Sequence, residues 1–375
     1  MKFVHVSGSF AWIGVLLVFI LLLVIISGYL VWGMSEVIPG IMGQQCSSCD
    51  VSIYVLAPFP LLLFSFSEPL WFVSFYIALL VIIISSILLA ILIDGKRLVS
   101  DMVSSVRDGR LRLSTKSSWA MIGQLFCTYL FFNLAYVLFL ALFGVEVVSP
   151  SMDQSPLWFL MYELANASVY EEIVTRLVFL GAPMFLIALG SGMRGKPLLK
   201  ELLGGSGRMT SSTWALIIVS SSIFGIAHIF SWDVYKVVPA FFAGLVLGYV
   251  YVKKGIWSSI LFHFIVDYYV LSFLVSSEVG HPGVTVFLVL ALVVFAVAGF
   301  FFFVYYSVKV VKRLGSVFGI PKPAPAAVRA TGEGYAAQPE QGMAKQLGFQ
   351  CHRCGFHEAR YSDGKYECLR CGHIQ

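Results

Sequence analysis

Two carboxylates and a guanidinium stand together in Tyr170-Glu171-Glu172-Ile173-Val174-Thr175-Arg176, inside an apolar stretch running from about Leu157 to Leu189. An isolated charge at that depth costs roughly 2.5–3.5 kcal/mol on insertion scales. Three of them within six residues must therefore be buried against partners or line a wet cavity. On a helix, Glu172 and Arg176 are i and i+4, share a face and can pair. Glu171 is turned about 100° away from Glu172 and is free to face a cavity, where a desolvated carboxylate is a usable general base. The same three residues would also serve as a structural polar knot that locks helices together.

Two later apolar stretches supply partners. Phe224-Gly225-Ile226-Ala227-His228 ends one of them with an imidazole. A lone His of this kind is read either as a hydrogen-bonded structural residue or as part of a site. His263-Phe264-Ile265-Val266-Asp267 places an imidazole and a carboxylate at i and i+4 in the other stretch, on one helical face. They are thus suited to orient one another or to bind one ion.

The elements that must carry these groups are membrane spans. Only 12% of the 375 residues are charged and 59% are hydrophobic, against about 25% charged in a soluble globular protein. The chain reads as an all-α polytopic membrane protein of about eight transmembrane helices, with a small C-terminal zinc ribbon of β type. The expected spans are 10–33, 69–93, 118–143, 157–190, 211–231, 234–252, 255–275 and 284–308. The first is too long for a signal-peptide core and is expected to be retained. Val51 to Phe66, rich in Pro and Phe, reads as an interfacial or re-entrant segment. Basic residues crowd alternate loops: Lys96 to Lys116, Arg194 to Arg208, Lys253 and Lys254, and Lys309 to Arg313. The intervening loops hold Glu36, Asp50, Glu146, Asp153, Asp233 and Glu278, with Lys236 as their only basic residue. By the positive-inside rule both termini are expected to be cytoplasmic.

The organisation that follows is an N-terminal transmembrane region at 1–117 and a transmembrane core carrying the polar residues at 118–313. A Pro/Ala/Gly-rich linker at 314–347 leads to the ribbon at 348–375. In the ribbon, Cys351-His352-Arg353-Cys354-Gly355 and Cys368-Leu369-Arg370-Cys371-Gly372 are two CxxCG knuckles. Each presents two thiolates to one tetrahedral ion. Phe356 to Tyr361 and Lys365 to Cys368 read as short strands between them. Four Cys ligands close the coordination sphere of a structural Zn2+, which supplies folding energy to a module with little core. The ribbon's Arg353, Arg360, Lys365 and Arg370 form a solvated face or a contact for a cytoplasmic protein partner; nucleic acid is not an expected partner. Cys46-Ser47-Ser48-Cys49 is a lone CxxC, read as a disulfide or free thiols, with a metal site and a redox pair as the other options. Cys127, alone in an apolar helix, reads as a small buried hydrophobe.

Glu-Glu-x-x-x-Arg, Phe-x-x-x-His and His-x-x-x-Asn/Asp, each in its own membrane helix and in this order, resemble the CPBP family. These are intramembrane peptidases that include CAAX prenyl-protein proteases and relatives linked to bacteriocin processing and self-immunity. The three motifs stand here as Glu171-Glu172 with Arg176, Phe224 with His228, and His263 with Asp267, and the resemblance covers roughly residues 118 to 275. It implies peptide-bond hydrolysis at or within the bilayer, on a membrane-associated or lipidated substrate. Glu171 and His228 would activate a water, His263 and Asp267 would stabilise the oxyanion or help hold a metal, and Glu172 and Arg176 would brace the site. The prenyl-protein peptidases usually carry Asn where Asp267 stands, and an ionised Asp cannot donate to an oxyanion.

A catalytic Zn2+ is left open. There is no His-Glu-x-x-His helix, but a Glu-His-His set could hold zinc with an open fourth position or work without metal. The span limits also set a condition. His228 lies about 18 residues from the cytoplasmic start of its helix and His263 about 8 from its own, a depth mismatch of about 15 Å. For His228 to join the site, a span must begin further into the cytoplasm, tilt or break. Two other functions use the same residues: a non-catalytic scaffold or immunity-type protein acting through its ribbon, and an ion or proton pathway.

Overall fold

The computed structural model describes residues 2–43, 51–56, 60–66, 68–108, 117–145, 147, 155–230, 232–317, 359–362 and 365–368. The chain divides into two units, Met1–Leu314 and Gly315–Gln375.

In the first unit the helices are α1 (Lys2–Gly43), α2 (Pro69–Asp108), α3 (Ser118–Leu142), α4 (Leu157–Glu172), α5 (Ala182–Gly190), α6 (Gly195–Leu202), α7 (Ser211–Ala227), α8 (Val237–Lys254), α9 (Ile256–Glu278) and α10 (Pro282–Val317). α4 runs into a nine-residue π-helical stretch, Ile173–Gly181, and through it into α5. Among the described residues, seven helical segments are long and apolar enough to cross a membrane: Trp12–Gly43, Pro69–Ser100, Ser118–Leu142, Leu157–Gly190, Val234–Lys254, Ile256–Glu278 and Pro282–Val311. The expected fifth span, 211–231, is corrected in length. Its helix is the 17-residue α7, which stops at Ala227 and breaks into a 3-10 turn, His228–Phe230. At 1.5 Å per residue it reaches about 26 Å, short of a hydrocarbon core of about 30 Å.

Lipid makes both faces of an outer helix apolar, so burial rather than polarity distinguishes them. In α1 the residues Leu16, Phe19, Leu22, Ile26 and Leu30 are buried, whereas Leu17, Leu21, Val24 and Val31 are exposed. The central element is α9. Its span is 72% buried, against 28% to 39% for α1, α2, α3, α4 and α10, and it packs against α1, α2, α4 and α8. The serines of α9 are therefore inside: Ser258, Ser259 and Ser272 have no exposed surface.

α7 lies along α8 through small residues. A Cβ added to Gly244 would sit 2.8 Å from Ser221 Cα, and one added to Gly248 would sit 3.0 Å from Ile217 Cγ2. This small-xxx-small stripe lets the two backbones meet closely and so fixes how far α7 carries His228. Asp94 joins α2 to α3: its Oδ2 accepts from Ser118 N–H at 3.1 Å and from the Ser118 hydroxyl.

The apolar segment after α1 is a two-stranded antiparallel hairpin, β1 (Val51–Leu56) with β2 (Pro60–Phe66), with a register shift between Ile53 and Tyr54. Cys46 and Cys49 lie outside the described residues. In the second unit β3 (Ala359–Ser362) pairs antiparallel with β4 (Lys365–Cys368). Of the expected first strand, Phe356 to Tyr361, the residues before Ala359 lie outside the described residues. Cys351, Cys354 and Cys371 lie outside the described residues, as does the linker from 318 onward.

Candidate active site

The π stretch begins directly after the two glutamates. α4 delivers Glu171 and Glu172, the π stretch delivers Arg176, the end of α7 delivers His228, and α9 delivers His263 and Asp267. All six residues named from the sequence come together.

Glu172 and Arg176 pair as the i, i+4 spacing requires, with Arg176 Nε 3.4 Å from Glu172 Oε2 and both side chains without exposed surface. Glu172 has two further partners. Ser259 Oγ donates to its Oε2, and His263 Nδ1 lies 3.0 Å from its Oε1. Arg176 Nη1 donates to Ser220 Oγ at 3.0 Å, and Ser220 Oγ donates to Thr175 O at 2.7 Å, which ties α7 to the π stretch. The Arg176 guanidinium carbon lies 5.1 Å from the Phe224 ring centroid. Desolvation makes such a buried pair a weak source of net stability, but each partner becomes costly once the other is gone.

Glu171 faces the other way, into the cavity expected from the helical turn. That cavity is lined by Tyr170, Glu171, Val174, Thr175, Phe224, Ala227 and His228. Glu171 Oε2 is 4.0 Å from His228 Nε2 and 3.9 Å from His263 Nε2. It is buried and has no hydrogen-bond partner.

The tautomers follow from what sits on the far side of each ring. His228 Nδ1 is 2.7 Å from Phe224 O. A carbonyl only accepts, so Nδ1 carries the proton and the neutral ring turns a bare Nε2 to Glu171. His263 Nδ1 faces the Glu172 carboxylate and its Nε2 faces two more, so this ring is suited to carry a proton on each nitrogen. That Nε2 is 3.5 Å from Asp267 Oδ2, and Ser168 Oγ reaches the same oxygen at 3.4 Å. Glu171 Oε2 and His228 Nε2 thus face one another as lone pairs, with His263 Nε2 and Asp267 Oδ2 beside them. Two facing acceptors call for a guest that brings protons or positive charge.

The expected depth mismatch does not keep His228 out of the site. The Phe224 ring centroid lies 6.0 Å from that of His263 and 4.6 Å from that of His228, so α7 ends level with the early turns of α9.

Whether the guest is zinc can be tested on the donor spacing. Ligands about 2.0–2.1 Å from a tetrahedral ion stand roughly 3.4 Å apart; the 3.5 Å between His263 Nε2 and Asp267 Oδ2 is close to this, whereas the 3.9 and 4.0 Å from Glu171 Oε2 to the two imidazoles exceed it. Among the described residues no cluster of three or more His, Cys, Asp or Glu has metal-holding geometry. Glu171 and the two imidazoles stand too far apart to share one zinc. A water making two hydrogen bonds of about 2.8 Å at roughly a right angle spans about 4.0 Å, which matches.

Ser168, Thr175, Ser220 and Ser259 were not singled out from the sequence. Two of them were legible: Ser259, His263 and Asp267 follow one another at i, i+4, i+8 on α9, and Ser168, Glu172 and Arg176 do so through α4. Ser220 belongs to another helix and carries no such signal.

Fold and site together define a multi-pass integral membrane protein with a buried acid–imidazole centre. Residues 153–269 match the family model of Rce1-like type II CAAX prenyl endopeptidases, which supports the CPBP family and, in general, a CAAX-protease-like intramembrane peptidase. No curated protein and no solved structure matches the chain.

Proposed function

We propose that the protein is a glutamate-type intramembrane endopeptidase in which Glu171 and His228 activate a water. The observation that carries this is the buried, unpartnered Glu171 Oε2 between two imidazole nitrogens at 4.0 and 3.9 Å. A water there donates one proton to Glu171 and the other to His228 Nε2. Glu171 removes its proton as the oxygen adds to the peptide carbonyl carbon. Collapse of the tetrahedral oxyanion breaks the C–N bond, and the same proton goes to the leaving nitrogen. His263, carrying a second proton on Nε2, donates to the oxyanion, and Asp267 orients that N–H rather than donating itself. Glu172 and Arg176 hold His263 in place.

The substrate class is a membrane-associated or lipidated peptide that reaches the site from the bilayer. Both termini are proposed to be cytoplasmic, on the charge pattern of the loops; beside the seven longer segments this requires the short α7 also to carry the chain from one side to the other. Cys351, Cys354, Cys368 and Cys371 are proposed to hold a structural zinc in a ribbon that contacts a cytoplasmic protein.

The test is cleavage of a membrane-proximal or lipidated peptide by purified full-length protein in vesicles. Glu171→Gln and His228→Ala are expected to abolish it. Undiminished cleavage by both variants overturns the assignment.

A further inference from the structure

The hairpin of β1 and β2 has no part in the hydrolytic sequence above and lies outside the matched residues 153–269. It stands between the end of α1 and the start of α2, on the side of the bundle where α7 ends. Gly40 near the end of α1 packs on Trp158 at the start of α4, where an added Cβ would meet the ring at 2.5 Å. Tyr136 near the end of α3 donates from Oη to Tyr235 O, in the turn after α7, at 3.0 Å. β1 touches α7, the helix whose Phe224 and Ala227 line the cavity with His228, and β2 touches α2.

The two strands have unlike edges. Each of the six residues of β1 has a partner across the pair, so its backbone is regular from Val51 to Leu56. β2 carries the extra residue, Leu63, at the register shift, and begins with Pro60, which has no N–H. A bulge and a proline blunt an edge against further pairing, whereas a regular strand leaves its edge open. Among the described residues no strand and no backbone hydrogen bond gives β1 a partner other than β2. In an antiparallel pair about half of a strand's N–H and C=O groups point away from the neighbour. Next to hydrocarbon such groups are costly until they are paired. A peptide cut in the bilayer has the same need, because unwinding to expose its scissile carbonyl frees its own backbone groups. The open edge of β1 and an unwound peptide satisfy one another.

We propose that the outer edge of β1 takes the substrate as a further, extended strand and so leads its scissile bond to Glu171. The inference rests on the peptidase function proposed above. Because β1 touches the helix that carries His228, a peptide bound for the site is favoured at this edge over a second copy of the chain.

Full-length protein in phosphatidylcholine vesicles would be given the membrane-proximal peptide it cleaves, with one N-methyl amide moved residue by residue from about the third to about the sixth position on each side of the scissile bond. In the wild type KM is expected to rise about three- to tenfold at every second position on one side, the loss of one backbone hydrogen bond, with kcat within about twofold. Replacing Val51 to Phe66 by a Gly/Ser segment of equal length should raise KM for the unmodified peptide about tenfold or more and erase the alternation. Where that variant does not fold, Ser52→Pro and Ile53→Pro take its place. Successive N–H groups of a strand point to opposite edges, so one of the two loses only an outer donor and should raise KM at an unchanged unfolding temperature. A flat N-methyl scan, an alternation that survives the Gly/Ser replacement, or an unchanged KM in both proline variants overturns the proposal and leaves the peptidase function standing. A dimer that the Gly/Ser replacement turns into a monomer, together with a flat scan, assigns the edge to a second copy and also overturns it. A wild type inert on the unmodified peptide overturns the peptidase function and this proposal together.

Discussion

His263 Nδ1 stands 3.0 Å from Glu172 Oε1, so the carboxylate beside the candidate base orients the imidazole that faces it. Glu172 is thus more than a counter-ion for Arg176. It holds Arg176, Ser259 and His263 at once. Adjacent glutamates on one helix can take such different roles because a turn of about 100° sends one into the packed interior and the other into a cavity.

Glu171→Gln and Glu172→Gln should therefore fail in different ways. Glu171→Gln removes the base and is expected to lower the rate by about 10²–10⁴-fold or more with little change in thermal unfolding. Glu172→Gln leaves Arg176 buried without its charge partner, and breaking such a pair costs about 3–5 kcal/mol. A lower unfolding temperature in detergent for Glu172→Gln alone checks this, and equal unfolding temperatures would count against the division of roles.

Ser220→Ala should loosen Arg176 without removing its charge partner. The variant loses the hydroxyl that accepts from Nη1 and donates to Thr175 O. A hydrogen bond to a charged group contributes about 1.5–3 kcal/mol, so the loss of stability is expected to be smaller than in Glu172→Gln. Chemical unfolding of the two variants side by side measures the order, and a Ser220→Ala protein as unstable as Glu172→Gln would contradict it.

Gly244→Val tests whether the close approach of α7 to α8 places His228. Even the first added carbon would lie 2.8 Å from Ser221 Cα, so the backbones must part. Overpacking of this kind costs about 1–3 kcal/mol and carries His228 away from Glu171. Peptide cleavage is expected to fall far more than in Gly283→Ala, where an added Cβ meets nothing within 4 Å. Comparable activity in both variants would argue that the α7–α8 contact does not set the site.

Elemental analysis of the full-length protein and of a shortened chain ending at Phe318 separates the two metal questions. About one zinc per chain is expected in the first, from a four-cysteine site, and none in the second. Zinc retained by the shortened, active protein would show that the core takes a metal despite its donor spacing.

The membrane class, most of the spans and all six polar residues of the centre could be read from the sequence. Burying charge in lipid is costly enough that a Glu-Glu-x-x-x-Arg run, a terminal His and a His-x-x-x-Asp pair stand out against an apolar background, and the i, i+4 rule then pairs them within each helix. Helical periodicity says nothing about how one helix inclines to another. The shortness of α7, its seam of glycines against α8, the π stretch after Glu172 and the approach of Phe224 to His263 were decided by packing between elements far apart in the chain. So was Ser220 at Arg176. The sequence by itself determined which groups must find partners in the bilayer; only the tertiary structure decided that Glu171 Oε2 stands between two imidazoles with no hydrogen bond of its own.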